Sequence, residues 1–408
     1  MDFSIGKCAK WLGLLMALAV GGDGLRAAEG TANAKPPLVL FETPRDGDQP
    51  VLTAVNGARK SVEVEVYELA DADLLAALCR QQLAGKTVRV ILNRNFPDAT
   101  TTKNVVAGEV LQMAGAQVHD ANPAFTYTHI KTIIVDAGEP TQKVLIMTLN
   151  LEPGYMGKFG PANWVICTQP GAGDFVAEPG RAVMNTGWFG LEKKVALADD
   201  EAAGMTVWPA VLGMDAYFNY TVDPVAYSLS LNFGVVDRDP ADIAQVEKIF
   251  NTDWVQGDLP ALATSDLVVS PVNAREKLVD EIQQAKRSVH IYAQEFFDAE
   301  VVRAAVAAAQ RGVEVKALLA PNMPRNVTSA NRLVQAGGQA RFLDPPYEHA
   351  KATMVDGEVV YLGSVNYTAT SLNKNRELGI LTRQRDIVAQ MEAEFARFWP
   401  MGTEAPGP

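Results

Sequence analysis

The sequence predicts an α/β protein in which one arrangement of strands and helices is built twice. Three observations carry this. Apolar runs of strand length alternate with runs whose apolar residues recur at helical spacing. Their order in the first half recurs in the second. A short His-x-Lys-x4-Asp pattern stands at the equivalent point of each half, as His129-Ile130-Lys131…Asp136 and as His349-Ala350-Lys351…Asp356. Strands alternating with helices imply mostly parallel sheets covered by helices.

The elements can be taken in pairs along the chain. Leu38-Val39-Leu40 and Leu267-Val268-Val269 open the two halves, each soon followed by a proline, Pro44 or Pro271. Ala58-Arg59-Lys60-Ser61-Val62 and Ala285-Lys286-Arg287-Ser288-Val289 each end a helix-like stretch and lead into a predicted strand, Val62 to Tyr67 and Val289 to Gln294. Helices are predicted over Leu74 to Leu83 and Val301 to Gln310. They stop at Gly85 and Gly312, where glycine favours a helix end. Strands follow at Val88 to Leu92 and Val313 to Leu319. Then come a second helix and an Ala/Gly turn, Ala114-Gly115-Ala116 and Ala336-Gly337-Gly338. Each motif leads into a further strand, Val144 to Asn150 and Val359 to Asn366. Both halves close alike, with Ala244-Gln245-Val246-Glu247…Phe250…Trp254 against Ala389-Gln390-Met391-Glu392…Phe395…Trp399.

Length and composition agree with two ordinary cores: 408 residues, 48% hydrophobic and 21% charged. Residues 1–28 read as a signal peptide, which implies a secreted or periplasmic protein. Lys7 and Lys10 give a basic start, Trp11 to Val20 is an apolar run, and Leu25-Arg26-Ala27-Ala28 offers small residues for cleavage. An uncleaved anchor is the alternative. The net charge is −12, and cleavage after Ala27 removes three cationic and two acidic residues, leaving about −13. Nucleic-acid binders usually carry a basic footprint, and this chain has no basic run, so no nucleic-acid partner is expected. Cys79 and Cys167 fall in a helix-like and a strand-like run and read as two buried thiols rather than a disulfide.

A paired set of His and Lys is what phosphodiester chemistry needs. One neutral imidazole can attack phosphorus, a second, protonated one can release the leaving oxygen, and two ammonium groups can hold the charge on the non-bridging oxygens. A metal centre is disfavoured, because a Lys two residues after each His would repel a cation there. No cofactor is expected.

From about Pro37 to Trp399 the chain resembles the phospholipase D superfamily. The resemblance rests on both His-x-Lys-x4-Asp motifs, on Gly363-Ser364-Val365-Asn366 and on Asn373…Arg376-Glu377-Leu378-Gly379. It implies two α/β/α sandwich domains with mixed, mostly parallel sheets about a pseudo-twofold axis, and one active site between them. The domains would span 36–258, with an insertion at about 155–229, and 266–400. The implied catalytic set is His129, Lys131, Asp136, His349, Lys351, Asp356 and Glu377. In it His129 attacks, His349 serves as acid and then base, the lysines bind the phosphoryl oxygens, and the aspartates mainly brace their loops. Asn150, Asn366, Ser364 and Thr148 would assist at the phosphate. Glu377 would hold the imidazole of its own half.

The first half departs from this pattern. Met147 replaces Gly363, which would narrow the approach to the phosphate. Asn232-Phe233-Gly234 aligns with Glu377-Leu378-Gly379, an amide in place of a carboxylate, with Asn163 a second candidate for the position. Either His129 lacks a carboxylate partner or another acid, such as Glu152, supplies one. The reverse order, with His349 attacking, therefore stays open. The insertion carries Trp164, Trp188 and Trp208, which suit either a lipid-facing rim or a core of their own. His290 and His119 read as structural or hydrogen-bonded neighbours.

The implied function is a secreted phospholipase D-type phosphodiesterase. It would hydrolyse or transphosphatidylate glycerophospholipids at a membrane or micelle surface, as a monomer. The alternatives are a sugar-nonspecific nuclease of the same fold and a non-catalytic binding protein.

Overall fold

The computed structural model describes residues 35–94, 99–158, 229–258, 262 and 265–405, together with the backbone of six short strands between residues 162 and 222. The predicted signal peptide lies outside the described residues. So do Trp188 and the side chains of Trp164, Trp208, Asn163 and Cys167. Cys79 is a buried thiol whose Sγ lies 4.0 Å from the Val110 carbonyl oxygen.

In the first half, β1 (Val39–Thr43) and α1 (Gln49–Asn56) precede β2 (Ser61–Val66), α2 (Ala72–Leu83), β3 (Thr87–Leu92), α3 (Ala99–Met113) and β4 (Gln117–Asp120). The first motif then enters a hairpin of β5 (Lys131–Val135) and β6 (Lys143–Met147). The insertion contributes β7 (Ala162–Thr168), β8 (Ala177–Glu178), β9 (Arg181–Thr186), β10 (Leu191–Ala196), β11 (Thr206–Trp208) and β12 (Ala216–Val222), paired as two three-stranded antiparallel sheets. β13 (Ser230–Asp237) and α4 (Pro240–Trp254) close this half.

The second half repeats the plan with β14 (Leu267–Ser270), α5 (Ala274–Gln284), β15 (Ser288–Ala293), α6 (Ala299–Gln310), β16 (Glu314–Leu319), α7 (Pro324–Gln335) and β17 (Gln339–Phe342). Then come β18 (Tyr347–Glu348), β19 (Lys351–Val355), β20 (Val359–Gly363), α8 (Ala369–Asn373), β21 (Glu377–Thr382), α9 (Arg385–Phe398) and β22 (Thr403–Glu404).

The strand orders are β1-β13-β6-β5-β2-β3-β4 and β14-β21-β20-β19-β15-β16-β17-β22, so the two sheets match strand for strand until β22. In the first path five of the seven strands run one way, and only β5 and β13 oppose them. The parallel ladders are confined to β2/β3/β4, where α2 and α3 form the crossovers. The four other ladders are antiparallel, and in one of them, β5/β6, the connection is a short hairpin that leaves no room for a crossover helix.

Local sequence explains the helix boundaries. Asp71, Asp239 and Asp298 cap α2, α4 and α6 by accepting first-turn N–H groups. Just beyond the ends of α2 and α6, Gly85 and Gly312 take φ of +80° and +87°, a conformation that a side chain disfavours. The strands alternate between two apolar layers. On β6, Val144 and Ile146 face one, and Leu145 and Met147 the other. One cluster lies under the helices of the first half and a second under those of the second half. The third joins the inner faces of both sheets with α4 and α9, through Phe233, Phe250, Tyr292, Met354 and Phe395.

The halves also exchange backbone. β18, just before the second motif, pairs in parallel with β13 of the first half, Leu231 opposite Glu348. Reciprocally, Thr128, just before the first motif, bridges to Arg376 at the start of β21.

Behind that second ladder lies a fully buried ion pair. Arg376 reaches Asp253 of α4 at 2.9 and 2.8 Å, and its guanidinium sits 4.0 Å from the Phe125 ring. At the pseudo-equivalent place stand Leu231 and Phe398. Asp253→Asn would remove the anion hydrogen-bonded to buried Arg376, leaving Glu65 to oppose its charge, and is expected to cost about 3 kcal/mol. Arg376→Leu with Asp253→Phe copies the apolar pair and should recover most of that loss, as read by urea unfolding. A single variant as stable as the parent would show that the pair contributes nothing.

Candidate active site

The backbone exchange sets the position of both motif histidines. The His129 N–H donates to the Arg376 carbonyl at 2.8 Å, and the His349 N–H to the Leu231 carbonyl at 3.3 Å. Asn93 braces the approach to His129 by receiving the Thr128 N–H at 3.1 Å. Each imidazole is thereby held against a residue of the opposite half. His129 Nδ1 lies 2.7 Å from Glu377 Oε2, and His349 Nδ1 lies 2.7 Å from Asn232 Oδ1.

This corrects the expectation that Glu377 serves its own half. The carboxylate belongs to His129, and the amide partner belongs to His349. Glu152 is not involved with His129. Glu377 is itself held by the Ser371 hydroxyl and by Asn375 Nδ2 at 3.0 Å. Asn232 is held by the Thr148 hydroxyl at 3.2 Å.

Both lysines are buried beside the imidazoles. Lys131 Nζ donates to the His129 carbonyl at 2.9 Å and lies 5.4 Å from the centre of the Tyr67 ring. Lys351 Nζ donates to Gln294 Oε1 at 2.9 Å and lies 3.1 Å from His349 Nε2. Tyr67 meets His129 edge-on at 4.8 Å between ring centres, and Tyr155 meets His349 at 4.5 Å. With both Nδ1 atoms held by the opposite half, Nε2 is the nitrogen of each ring open to chemistry, and that of His349 lies against Lys351 Nζ.

Burial and crowding of positive charge govern protonation here. Burial pushes Lys131 down to about 7, against the pull of Glu377 and Glu68. Burial, then Lys131, holds Lys351 well below its ordinary value. His349 is pushed well down by burial and then by Lys351, Lys131 and His129. His129 is also lowered by burial, but the Glu377 charge opposes the shift. Burial raises Glu377, yet His129, Lys131 and the Ser364 hydroxyl outweigh it and leave the carboxyl below its ordinary value. The two imidazoles thus differ in one respect: only His129 has an anionic partner.

The histidines line a cleft of roughly 580 Å³ between the halves, together with Asn150, Asn366, Tyr67, Tyr127, Tyr155, Phe297, Met323 and Arg325. Asn150 and Asn366 each have a buried Oδ1 without a hydrogen bond. The other predicted phosphate ligands are not in the cleft. The Ser364 hydroxyl accepts the Leu378 N–H at 3.0 Å, and the Thr148 hydroxyl the Phe233 N–H at 3.0 Å. Both serve to place the residue that holds a histidine. Met147 does not narrow the approach, because its side chain packs in the apolar layer of the first half.

Asp136 and Asp356 are also outside the cleft, at the far ends of the motif strands. Both adopt φ of +55°. Asp136 accepts the N–H groups of Arg59, Lys60 and Ser61 at 2.7–3.2 Å, and Asp356 those of Lys286, Arg287 and Ser288 at 2.6–3.1 Å. They brace their loops, the role the resemblance implied for them, and do not line the cleft. His290 lies between Glu392 and Glu314 and stacks on Phe395. His119 stacks on Trp254. Neither lines the cleft.

Sequence reading missed several residues. Lys103 Nζ bridges Glu68 at 3.0 Å and Glu152 at 3.2 Å, and Asn150 donates to Glu68 at 3.0 Å. Burial, then the charge of Glu68, holds the Glu152 carboxyl well above its ordinary value. Glu348, beside His349, is fully buried with neither oxygen hydrogen-bonded, and burial holds it well above its ordinary value. Among the described residues, the acidic cluster with cation-like spacing is Asp48, Asp71 and Asp73. It lies outside the cleft, and Lys158 Nζ sits 2.6–2.8 Å from all three.

Residues 51–170 and 278–399 match the family described as cardiolipin synthase, PLD-like domain. Cardiolipin synthase A of Pseudomonas syringae pv. syringae (strain B728a) is 31% identical over 176 residues, 37% of this chain and 36% of that protein. The mitochondrial cardiolipin hydrolase of Homo sapiens is 31% identical over 129 residues, 31% of this chain and 51% of that protein. The chain thus spans between a third and about half of these curated relatives. A polyphosphate kinase from Porphyromonas gingivalis shares the fold with a TM-score of 0.56 at 13% identity, over 88% of this chain and 46% of that one.

Lys131 must carry its proton to hold an anion, and its lowered value of about 7 sets a limit on the alkaline side. Were His129 the attacking group it would have to be neutral, and burial favours the neutral ring against the pull of Glu377. For a soluble phosphodiester, kcat/KM is expected to fall on the alkaline side from no higher than about 7, because Lys131 and His349 both hold their protons less firmly than usual. A profile still rising above pH 8 would remove Lys131 from that role.

Proposed function

The chain belongs to the phospholipase D-like family of the cardiolipin synthase type, and we propose that it cleaves phosphodiesters through a covalent phosphohistidine on His129. The observation that carries the assignment is the crossed pairing of His129 with Glu377 and of His349 with Asn232.

A carboxylate on Nδ1 raises the basicity of Nε2 and stabilises the cationic ring formed when Nε2 bonds phosphorus. An amide on Nδ1 orients the ring without adding charge, which leaves the His349 imidazolium a stronger acid. The incoming phosphodiester anion favours protonation of His349 and of both lysines. His129 Nε2 then attacks phosphorus, the bond to the leaving oxygen breaks, and His349 Nε2–H protonates that oxygen. Neutral His349 next takes a proton from water or from an alcohol. The resulting oxygen nucleophile displaces His129 from phosphorus. Lys131 and Lys351, with the side chains of Asn150 and Asn366, face the phosphoryl oxygens.

The substrate proposed is a glycerophospholipid, with its phosphatidyl group passed to water or to an alcohol. Supporting this are the aromatic and thioether wall of Tyr67, Tyr127, Tyr155, Phe297 and Met323, the names of the relatives above, and a net charge of −12 that opposes gathering a polyanion such as DNA. A secreted or periplasmic location is part of the same reading and rests on the basic and apolar pattern of residues 1–28.

With an aryl phosphodiester, whose leaving group needs no acid, His349→Ala should accumulate phosphoenzyme mapped to residue 129. His129→Ala should form none and lose activity by about 10³-fold or more. Phosphate trapped on residue 349 would reverse the roles. In a panel of phosphatidylcholine, phosphatidylglycerol, cardiolipin and DNA at moderate salt, lipid turnover should exceed DNA turnover. The opposite ranking would end the lipid reading.

A further inference from the structure

The two walls of the cleft are built from equivalent positions but carry different charge. Asn104 and Asn326 mark the equivalence. Asn104 accepts the Leu69 N–H and donates to the carbonyls of Tyr67 and Asn93. Asn326 accepts the Phe296 N–H and donates to those of Gln294 and Ala320. The preceding residues, Lys103 and Arg325, therefore occupy matching places, as do Glu68 and Glu295. The matching bridges Leu69–Leu151 and Phe296–Tyr367 make Glu152 and Thr368 counterparts too.

In the first half the cation is engaged by both carboxylates, Lys103 with Glu68 and Glu152. In the second half Thr368 replaces Glu152, and its hydroxyl instead caps α8 by accepting the Ser371 N–H at 3.0 Å. Arg325 is exposed and lies on the cleft wall, with its guanidinium 5.1 Å from the centre of the Phe297 ring. Among the described residues it forms no ion pair. Glu295 is the carboxylate that feels its charge. A guanidinium backed by an aromatic face and open to a cleft suits a planar or tetrahedral oxyanion, which it can grip through two N–H groups.

We propose that Arg325 binds a second phosphoryl group of the substrate while the first lies between His129 and His349, so that the site prefers a phospholipid with two phosphates over one with a zwitterionic head group. This rests on the lipid reading above and names the class of lipid within it. The Lys103 wall is less suited to the same part, since the Lys103 ammonium is hydrogen-bonded to Glu68 and Glu152, whereas Glu295 acts on Arg325 without such a bond. The preference is thus one-sided and fixes the direction in which the lipid lies across the two histidines.

The test compares wild type, Arg325→Gln and Arg325→Lys on cardiolipin and on phosphatidylcholine, each at the same fraction in one neutral detergent micelle, with bis(p-nitrophenyl) phosphate as the soluble control. Arg325→Gln should lower kcat/KM for cardiolipin about tenfold or more, through KM, and leave phosphatidylcholine and the aryl diester within about twofold. Arg325→Lys should restore part of the loss. Equal losses on both lipids, or no loss on either, would overturn the Arg325 assignment while leaving the lipid reading in place. If wild type cleaved DNA and the aryl diester but neither lipid, the lipid reading and this inference would fall together.

Discussion

Every distance that matters at the site depends on backbone paired between the halves. The residues ahead of each motif lie alongside a strand of the other half, and His129 and His349 are tied to the carbonyls of Arg376 and Leu231. A main-chain hydrogen bond fixes direction as well as distance. It therefore fixes which side chain of the neighbouring strand meets each imidazole, one residue further on. Glu377 follows Arg376 and meets His129. Asn232 follows Leu231 and meets His349. Neither half holds a finished site, so the interface and the chemistry form together.

The same arrangement explains how four potential cations can share a buried space. Lys131, Lys351, His129 and His349 crowd together with one carboxylate, Glu377, in hydrogen-bond contact. Glu68, which pulls against the loss of the Lys131 proton, lies beside Asn150 and is clamped by Lys103. Burial depresses the basicity of Lys131, and burial together with the neighbouring cations depresses that of His349. A bound phosphodiester anion relieves the crowding. Strong anion binding and an acid poised to give up its proton are two sides of one electrostatic condition.

Much of this was legible in the sequence, and the limit has a physical basis. The repeated motifs, the helices ending at Gly85 and Gly312 and the twofold succession of elements are local patterns, and they appear where expected. The pairing of His129 with Glu377 joins residues 248 apart. Within one half the spacing of Glu377 from His349 looked natural, but strand exchange between halves leaves no mark in local spacing. Ser364 and Thr148 stand next to the cleft in sequence. Their hydroxyls nevertheless turn to backbone N–H groups of β21 and β13, because a buried donor must be satisfied first. The reversed motif strands escaped for a related reason. Alternation of strands and helices predicts crossovers, whereas a short hairpin within the motif region does not announce its direction. The insertion's tryptophans belong to side chains that are not described, so their two readings stand as they were.

One buried group gains meaning from the pseudo-symmetry. Glu348 faces Leu231 across its ladder, while at the matching point of the other ladder Thr128 faces Arg376. Were two copies of the second half to pair by the same rule, each Glu348 would face an Arg376 of its twin. The carboxyl that lacks a hydrogen bond in the present chain would then have a guanidinium opposite it. Such a pairing would be self-complementary, which two identical subunits could use and a single chain need not. In this chain the two ladders differ: Arg376 meets Asp253 instead, and burial holds the Glu348 carboxyl well above its ordinary value, which lessens the cost of enclosing it.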